Sequence, residues 1–240
     1  MIRGLGTLIN AAAIIVAGIA GVAGKKFIKE RYQETMLKAT GFAVMFLGAA
    51  GSLAKILVIE DGGKSISTTG TINIVISLAL GALIGEIIDI DGLFNRFGAW
   101  LRHKTGNDGD NKFIDGFVSA SLIVGIGAMG IMGAISDGIY GDYSILAAKA
   151  TIDFVIILVM AASMGKGCAF SSLTVIATQG SITALAAAFG GLLTDPMLDN
   201  IAMTGNILIF CIGANLVKEN TIKVANLLPA LIITVLIALI

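Results

Sequence analysis

The sequence predicts an all-α fold, a polytopic transmembrane helical bundle of about eight spans, on three observations. Of 240 residues, 56% are hydrophobic and 13% charged, with mean hydropathy +0.94; the charged share is roughly half the ~25% of a soluble domain. Apolar runs near the ~20 residues needed to cross ~30 Å of hydrocarbon recur from end to end. Twelve of the sixteen Lys and Arg collect between alternate runs. Such a chain holds seven or eight crossings and little else, so residues 1–240 are expected to form a single integral membrane domain.

The runs place helices over 4–24, 36–58, 70–90, 113–136, 143–165, 168–193, 199–217 and 222–240. The first follows Arg3 directly and has further spans after it, so it reads as a retained helix and not a cleaved signal. In the fourth, Gly125, Gly127, Gly130 and Gly133 lower helical propensity. That segment either packs smoothly by small residues, the preferred reading, or breaks and frees backbone groups for a solute. In the sixth, Gln179-Gly180-Ser181 is expected to kink the helix near mid-membrane. The seventh has a short core, Met203 to Leu216, for which a half-membrane segment is the alternative. Pro229 is expected to kink the eighth or mark its first turn, with Asn226 bonding carbonyls freed there.

The cationic residues test this layout with different information. Lys25, Lys26, Lys29, Arg31 and Lys38 follow helix one, Arg96, Arg102, Lys104 and Lys112 follow helix three, Lys166 follows helix five, and Lys218 and Lys223 follow helix seven. Arg3, Lys55 and Lys64 fall on the other side, and Lys149 lies inside a span. A twelve-to-three division puts the odd-numbered loops in the cytoplasm and both termini outside a bacterial cytoplasmic (inner) membrane.

Thirty-one glycines against eleven Phe and one Trp indicate close helix contacts, since small residues let backbones approach where no hydrophobic force drives association. The same surfaces, with thin loops, are compatible with a homodimer. Cys168 and Cys211 lack CxxC spacing and read as small packing residues, so no metal or redox site is expected.

A charge at mid-bilayer costs at least about 2.5 to 3.5 kcal/mol, so embedded charges mark candidate sites. Lys149 and Asp153 are four residues apart in helix five and share one face; they form either a polar site facing a cavity or a structural ion pair. Glu86 and Asp89 share a face near the inner end of helix three, as a cation or proton entry point or as hydrated helix-end carboxylates, with Asp91 expected in water. Asp137 and Asp142 would form an anionic outer mouth or a solvated turn. Asn10, Asn73, Gln179, Ser181, Asn206 and Asn226 add uncharged polar groups whose ordinary role is an interhelical hydrogen bond of about 0.6 kcal/mol.

Internal similarity is modest. Gly6-Thr7-Leu8 and Gly21 match Gly70-Thr71-Ile72 and Gly85, and Thr40-Gly41, Phe46 and Gly48-Ala49 echo Thr204-Gly205, Phe210 and Gly213-Ala214. The first pair suggests parallel copies and the second an inverted relationship of the kind transporters use.

Whole-chain motifs add a resemblance. Gly6-Thr-Leu-Ile-Asn10-Ala, Gly81-Ala-Leu-Ile-Gly-Glu86-Ile, Gly127-Ala-Met-Gly-Ile-Met-Gly-Ala-Ile-Ser-Asp137-Gly, Gly141-Asp-Tyr-Ser-Ile-Leu, Gln179-Gly-Ser-Ile-Thr183 and Asn226-Leu-Leu-Pro-Ala230 resemble the bacterial inner-membrane family catalogued as domain of unknown function 554. The resemblance implies a multi-spanning protein and carries no established substrate or catalytic residue; a transport role is the usual guess.

The expected function is therefore a transporter or channel for a small solute or ion, with a non-transporting scaffold or sensor as the alternative. Partners are the lipid bilayer and that solute, with no nucleic acid and no cofactor. An enzyme is not expected, because GxSxG and HExxH motifs are missing and His103 sits among Arg102 and Lys104 in a loop. No GxxxxGK[ST] loop supports an ATP-driven pump.

Overall fold

The structure, a computed structural model, describes residues 3–60, 65–125, 128–189, 194–218 and 221–238. Helices come in the order α1 (Leu5–Gly24), α2 (Glu30–Ile56), α3 (Thr71–Ile88), α4 (Ile90–Lys104), α5 (Phe113–Gly125), α6 (Ala128–Tyr140), α7 (Ser144–Met164), α8 (Ser171–Phe189), α9 (Asp195–Val217) and α10 (Pro229–Ile237). Strands β1 (Leu57–Glu60) and β2 (Ser65–Thr68) join α2 to α3. Tight 3-10 turns occupy Lys25–Phe27, Lys166–Phe170 and Val224–Leu227.

Among the described residues, six helices, α1, α2, α3, α7, α8 and α9, are long and apolar enough to cross a membrane. The chain folds as an all-α polytopic bundle, as its composition predicts. A seventh crossing is made if α5 and α6 count as one span, their axes differing by 59°. The expected smooth fourth helix is thus two pieces. Its Gly127 lies outside the described residues, as do Lys64, residues 190–193 and residues 239–240 of other expected elements.

Other departures have local causes. The seventh expected helix, with its short apolar core, is the 23-residue α9, because Pro196 starts it within the first turn where a missing N–H costs nothing. The eighth is the shorter one: Val224–Ile237 is apolar but begins as a 3-10 turn, and Pro229 opens α10 in place of kinking it. Helix α8 runs unbroken through Gln179-Gly180-Ser181, with the Thr178 hydroxyl donating to the Thr174 carbonyl at 2.8 Å and Ser181 to Ala177. The segment read as a loop after helix three contains α4. Asp89, at φ 57°, ends α3 and opens α4, accepting from the Gly92 amide at 3.2 Å, while Asp91 at the start and Arg102, His103 and Lys104 at the end suit the helix dipole. Gly98 of α4 packs on Phe117, and Leu101 is buried. The hairpin β1–β2 takes the place of the last residues of helix two and the loop after it; it pairs antiparallel with Leu57 opposite Thr68.

Glycine sets the helix pairings. Helices α2 and α9 lie antiparallel, with Gly41 against the Gly213 carbonyl, Gly48 against the backbone of Asn206 and Phe210, and Gly51 against the Asn206 side chain. Helices α1 and α7 run parallel, Gly6 meeting Leu146 and Gly21 meeting the Leu158 carbonyl and Ala161. Gly81 and Gly85 of α3 press on Ala230 and Asn226. In hydrocarbon, lipid tails compete equally for apolar surface, so such close backbone contacts supply much of the adhesion. The repeat suggested at Gly6 and Gly70 shifts by two residues: Gly4 (φ 87°) and Gly70 (φ 70°) are the left-handed residues that open α1 and α3. Phe113, Phe117, Ile157 and Met160 fill the centre, all fully buried.

Polar contacts between helices join ends that strict alternation puts on one side. Lys55 reaches Asp199 at 2.5 Å, Ser163 donates to the Gln33 carbonyl at 2.9 Å, and Lys223 reaches Glu86 at 3.0 Å.

A Cβ on Gly48 would fall 2.6 Å from the Asn206 carbonyl oxygen, so Gly48→Ala is expected to destabilise the detergent-solubilised protein by about 1–3 kcal/mol. A Cβ on Gly180 would meet nothing within 4 Å, and Gly180→Ala should be neutral or raise the thermal midpoint.

Candidate functional site

The i, i+4 spacing of Lys149 and Asp153 places both on the inward face of α7, where they are 6% and 3% exposed. Lys149 Nζ donates to Asp153 Oδ1 at 2.8 Å and to Oδ2 at 2.6 Å. Asn10 of α1 donates through Nδ2 to Asp153 Oδ2 at 3.0 Å and to Gln179 Oε1 of α8 at 3.4 Å. Four residues from three helices therefore meet, and all four were singled out by the sequence. The bond from Asn10 and the bidentate lysine contact offset the loss of water around the two charges, which neither could sustain alone.

Helix α6 closes the group without a side chain. A Cβ on Gly130 would lie 3.2 Å from Lys149 Cε and 3.3 Å from Gln179 Nε2. Gly130 is thus a site residue for a steric reason, hidden in the sequence among three other glycines. The packing still leaves polar atoms wanting: Asn10 Oδ1 and Gln179 Nε2 are buried without a hydrogen-bond partner.

A cavity of about 120 Å³ opens against the same pair, lined by Lys149, Asp153 and Asn206 and walled by Val44, Leu47, Met129 and Ile152. A water molecule takes about 30 Å³ of liquid, so the space holds several waters or one small solute. The side chain of Asn206 on α9 makes no hydrogen bond among the described residues and is the only uncharged polar side chain among the described residues lining the cavity. The pair faces open space on this side and polar amides on the other.

The remaining candidates lie elsewhere. Asp137, expected at an anionic mouth, is fully buried on α6 and accepts from the Gly4 amide at 3.1 Å and the Gly6 amide at 3.0 Å. It caps the first turn of α1, whose amides lack acceptors of their own and carry the positive end of the helix dipole. Asp142 is the solvated turn residue: it accepts from the Ser144 amide at 3.0 Å, and that bond holds its carboxyl below the usual range. Glu86 is about 60% exposed and bonds Lys223 and Asn226, whose Nδ2 donates to Glu86 Oε2 at 2.5 Å.

Asn226 does not bond carbonyls freed by a kink, because α10 has none; its Oδ1 accepts the Asp91 amide at 2.7 Å. Asp89 caps α4 and lies 3.6 Å from Arg96, while Glu86 bonds Lys223, so these two exposed carboxylates take different partners. Asp91, expected in water, is partly buried, and that burial raises its carboxyl above the ordinary value while Asn95 donates to it at 2.9 Å. The hydrogen bond to Glu86 pushes the Lys223 ammonium up. These residues form a polar seam at the inner ends of α3, α4 and α10, separate from the Lys149–Asp153 centre.

Asp153→Asn leaves a buried ammonium without its counter-charge and is expected to cost about 3–5 kcal/mol. Lys149→Met combined with Asp153→Asn should recover most of that loss, both read as thermal midpoints in detergent; equal midpoints for single and double variants would show that the two charges do not depend on each other.

The profile of the family described as "Protein of unknown function (DUF554)" matches residues 5–239. The uncharacterized membrane protein YdfK of Bacillus subtilis is 30% identical over 228 residues, covering 95% of this chain and 93% of that one. The uncharacterized protein YqgA of Escherichia coli is 28% identical over 233 residues, covering 95% and 94%. No solved structure matches the chain. A match over nearly every residue, with relatives of almost the same span, makes this chain a member of the DUF554 family of membrane proteins.

Proposed function

We propose that the protein is a transporter or channel for a small solute or ion, and that Lys149 and Asp153 form its polar binding centre. The observation that carries this reading is the cavity of about 120 Å³ lined by Lys149, Asp153 and Asn206. A pair kept only for structure would be better sealed by apolar groups, since an ion pair replaced by packed hydrophobic side chains is often neutral or more stable. Here one side of the pair is open to a guest. The broken α5–α6 pair beside it supports the reading, because interrupted helices place backbone dipoles at membrane depth.

The division of Lys and Arg supports an orientation with the Lys25–Phe27 turn, α4 and the Lys166–Phe170 turn on the cytoplasmic side. The β1–β2 hairpin and the Asp137 end of α6 then face outward, in a bacterial cytoplasmic membrane. A non-transporting scaffold or sensor is the second reading, favoured by the short bidentate contact that lets the pair satisfy itself.

The test is current from proteoliposomes on a solid support after concentration jumps of sodium, potassium, chloride, acetate and neutral amino acids. Wild type is expected to exceed the stable double variant, Lys149→Met with Asp153→Asn, by at least about tenfold for one member of the panel, a loss of ~1.4 kcal/mol or more. Indistinguishable currents across the panel would overturn transport through this centre and leave the scaffold reading.

A further inference from the structure

Beyond the cavity, a second set of buried polar atoms leads from Asp153 toward the outer end of the bundle. Among the described residues, Thr7 Oγ1, Asn10 Oδ1, Gln179 Nε2 and Thr183 Oγ1 are buried without a hydrogen-bond partner. Their residues are 4%, 0%, 2% and 5% exposed. Each such atom costs about 1–3 kcal/mol when left dry; Ser77 Oγ and Arg102 Nε share this state on α3 and α4, and the other four lie on α1 and α8.

The line can be traced from contacts. Asn10 bonds Asp153 at 3.0 Å and Gln179 at 3.4 Å. Thr7 stands three residues above Asn10 on α1, about 4.5 Å of rise, and Thr183 stands one turn above Gln179 on α8, about 6 Å. Both then reach the level of Asp137: Thr7 adjoins Gly6, whose amide bonds Asp137 at 3.0 Å, and the Thr183 carbonyl would lie 2.5 Å from a Cβ on Gly138. On α6, Gly130 beside Lys149 and Asp137 are seven residues and about 10.5 Å apart on one face. The file therefore crosses about a third of a ~30 Å core.

We infer that this file of buried, unpartnered side chains between Asp137 and Asp153 holds water and conducts protons, so that the ion driving the transporter is a proton. The inference rests on the transport reading of the Lys149–Asp153 centre and adds its coupling ion and outer access route. Hydroxyls suit the task, because each donates and accepts and so orders a water without holding it.

A hydronium at the outer end gives its proton to the first water, and each water in turn gains one proton and passes another. The last water protonates a carboxylate oxygen of Asp153, forming one O–H bond, while Lys149 keeps its three protons. The pair goes from neutral to one positive charge. The proton leaves through the cavity on the other side of Asp153, lined by residues of α2, α5, α6 and α9.

The groups facing the two carboxylates are few. Asp153 meets Lys149 on its own helix and Asn10 from α1, which also donates to Gln179 of α8, and shares its cavity with Asn206 of α9 and Met129 of α6. Asp137 meets the Gly4 and Gly6 amides of α1, with Arg3 adjoining Gly4 in the chain and Tyr143 of the α6–α7 turn against Gly6.

The experiment uses full-length protein in vesicles containing a pH-sensitive dye, with a valinomycin-clamped potassium gradient driving protons inward. Thr7→Val with Thr183→Val keeps shape and removes both hydroxyls; it is expected to slow acidification at least about tenfold, and Thr→Ser at both sites to restore it. Thermal midpoints of the Val variant should stay within a few degrees of wild type, since Val keeps the shape of Thr, so a slower flux is not unfolding. Wild-type acidification no faster than that of Asp153→Asn plus Lys149→Met overturns the inference; if that double variant still loses current in the solute panel, the transport reading stands. Acidification unchanged by the Val substitutions but abolished at Asp153 also overturns the proposed route.

Discussion

The architecture depends on how closely helices can approach where apolar burial gives no advantage over lipid. Gly48 against the Asn206 and Phe210 backbone, Gly21 against the Leu158 carbonyl, and Gly85 against the Asn226 carbonyl bring main chains nearer than any side chain permits. Dispersion and polar contacts then do in the bilayer what water exclusion does in a soluble core. The exposed faces, with Leu83, Ile84, Ile87 and Ile88 along α3 for example, are left for lipid.

Close approach is also what permits a charged centre. Lys149 and Asp153 sit at a depth where an isolated ion would be expelled or neutralised, and they persist because α1, α6 and α8 come near enough to bring Asn10, the bare Gly130 backbone and Gln179 to them. Asp137 follows the same logic one level outward. Its carboxylate is tolerated in full burial because two main-chain amides at the positive end of α1 meet it. Each embedded acid thus has a different counterpart, an ammonium in one case and a helix terminus in the other.

The inner end is built differently. Glu86 and Lys223 are exposed, Asp91 and Asn95 half-buried, and only Asn226 is buried; together they link α3 and α4 to the chain leading into α10. Solvent screens such contacts and makes each worth little, so this seam positions elements without the energetic tension of the central pair. The contrast separates a site from a fastening.

Periodicity and charge were sufficient for much of this protein. Hydrophobic run length identifies the membrane class, and four-residue spacing puts Lys149 and Asp153 on one face, because both follow from helix geometry along a single segment. Asn10, Gln179 and Asn206 could be named as polar residues in apolar helices, but their meeting at Asp153 depends on which helices are neighbours. The same holds for Thr7 and Thr183, which look ordinary in sequence and matter only by what they lack, a hydrogen-bond partner. The straight course of α8 through Gly180, the break between α5 and α6, and the turning of Asp137 inward to cap α1 were likewise decided in three dimensions. Composition alone determined that this chain lives in lipid and which segments carry charge there, since transfer energies act residue by residue. Only the tertiary structure decided which of those charges share a cavity, because that depends on contacts between helices far apart in the chain.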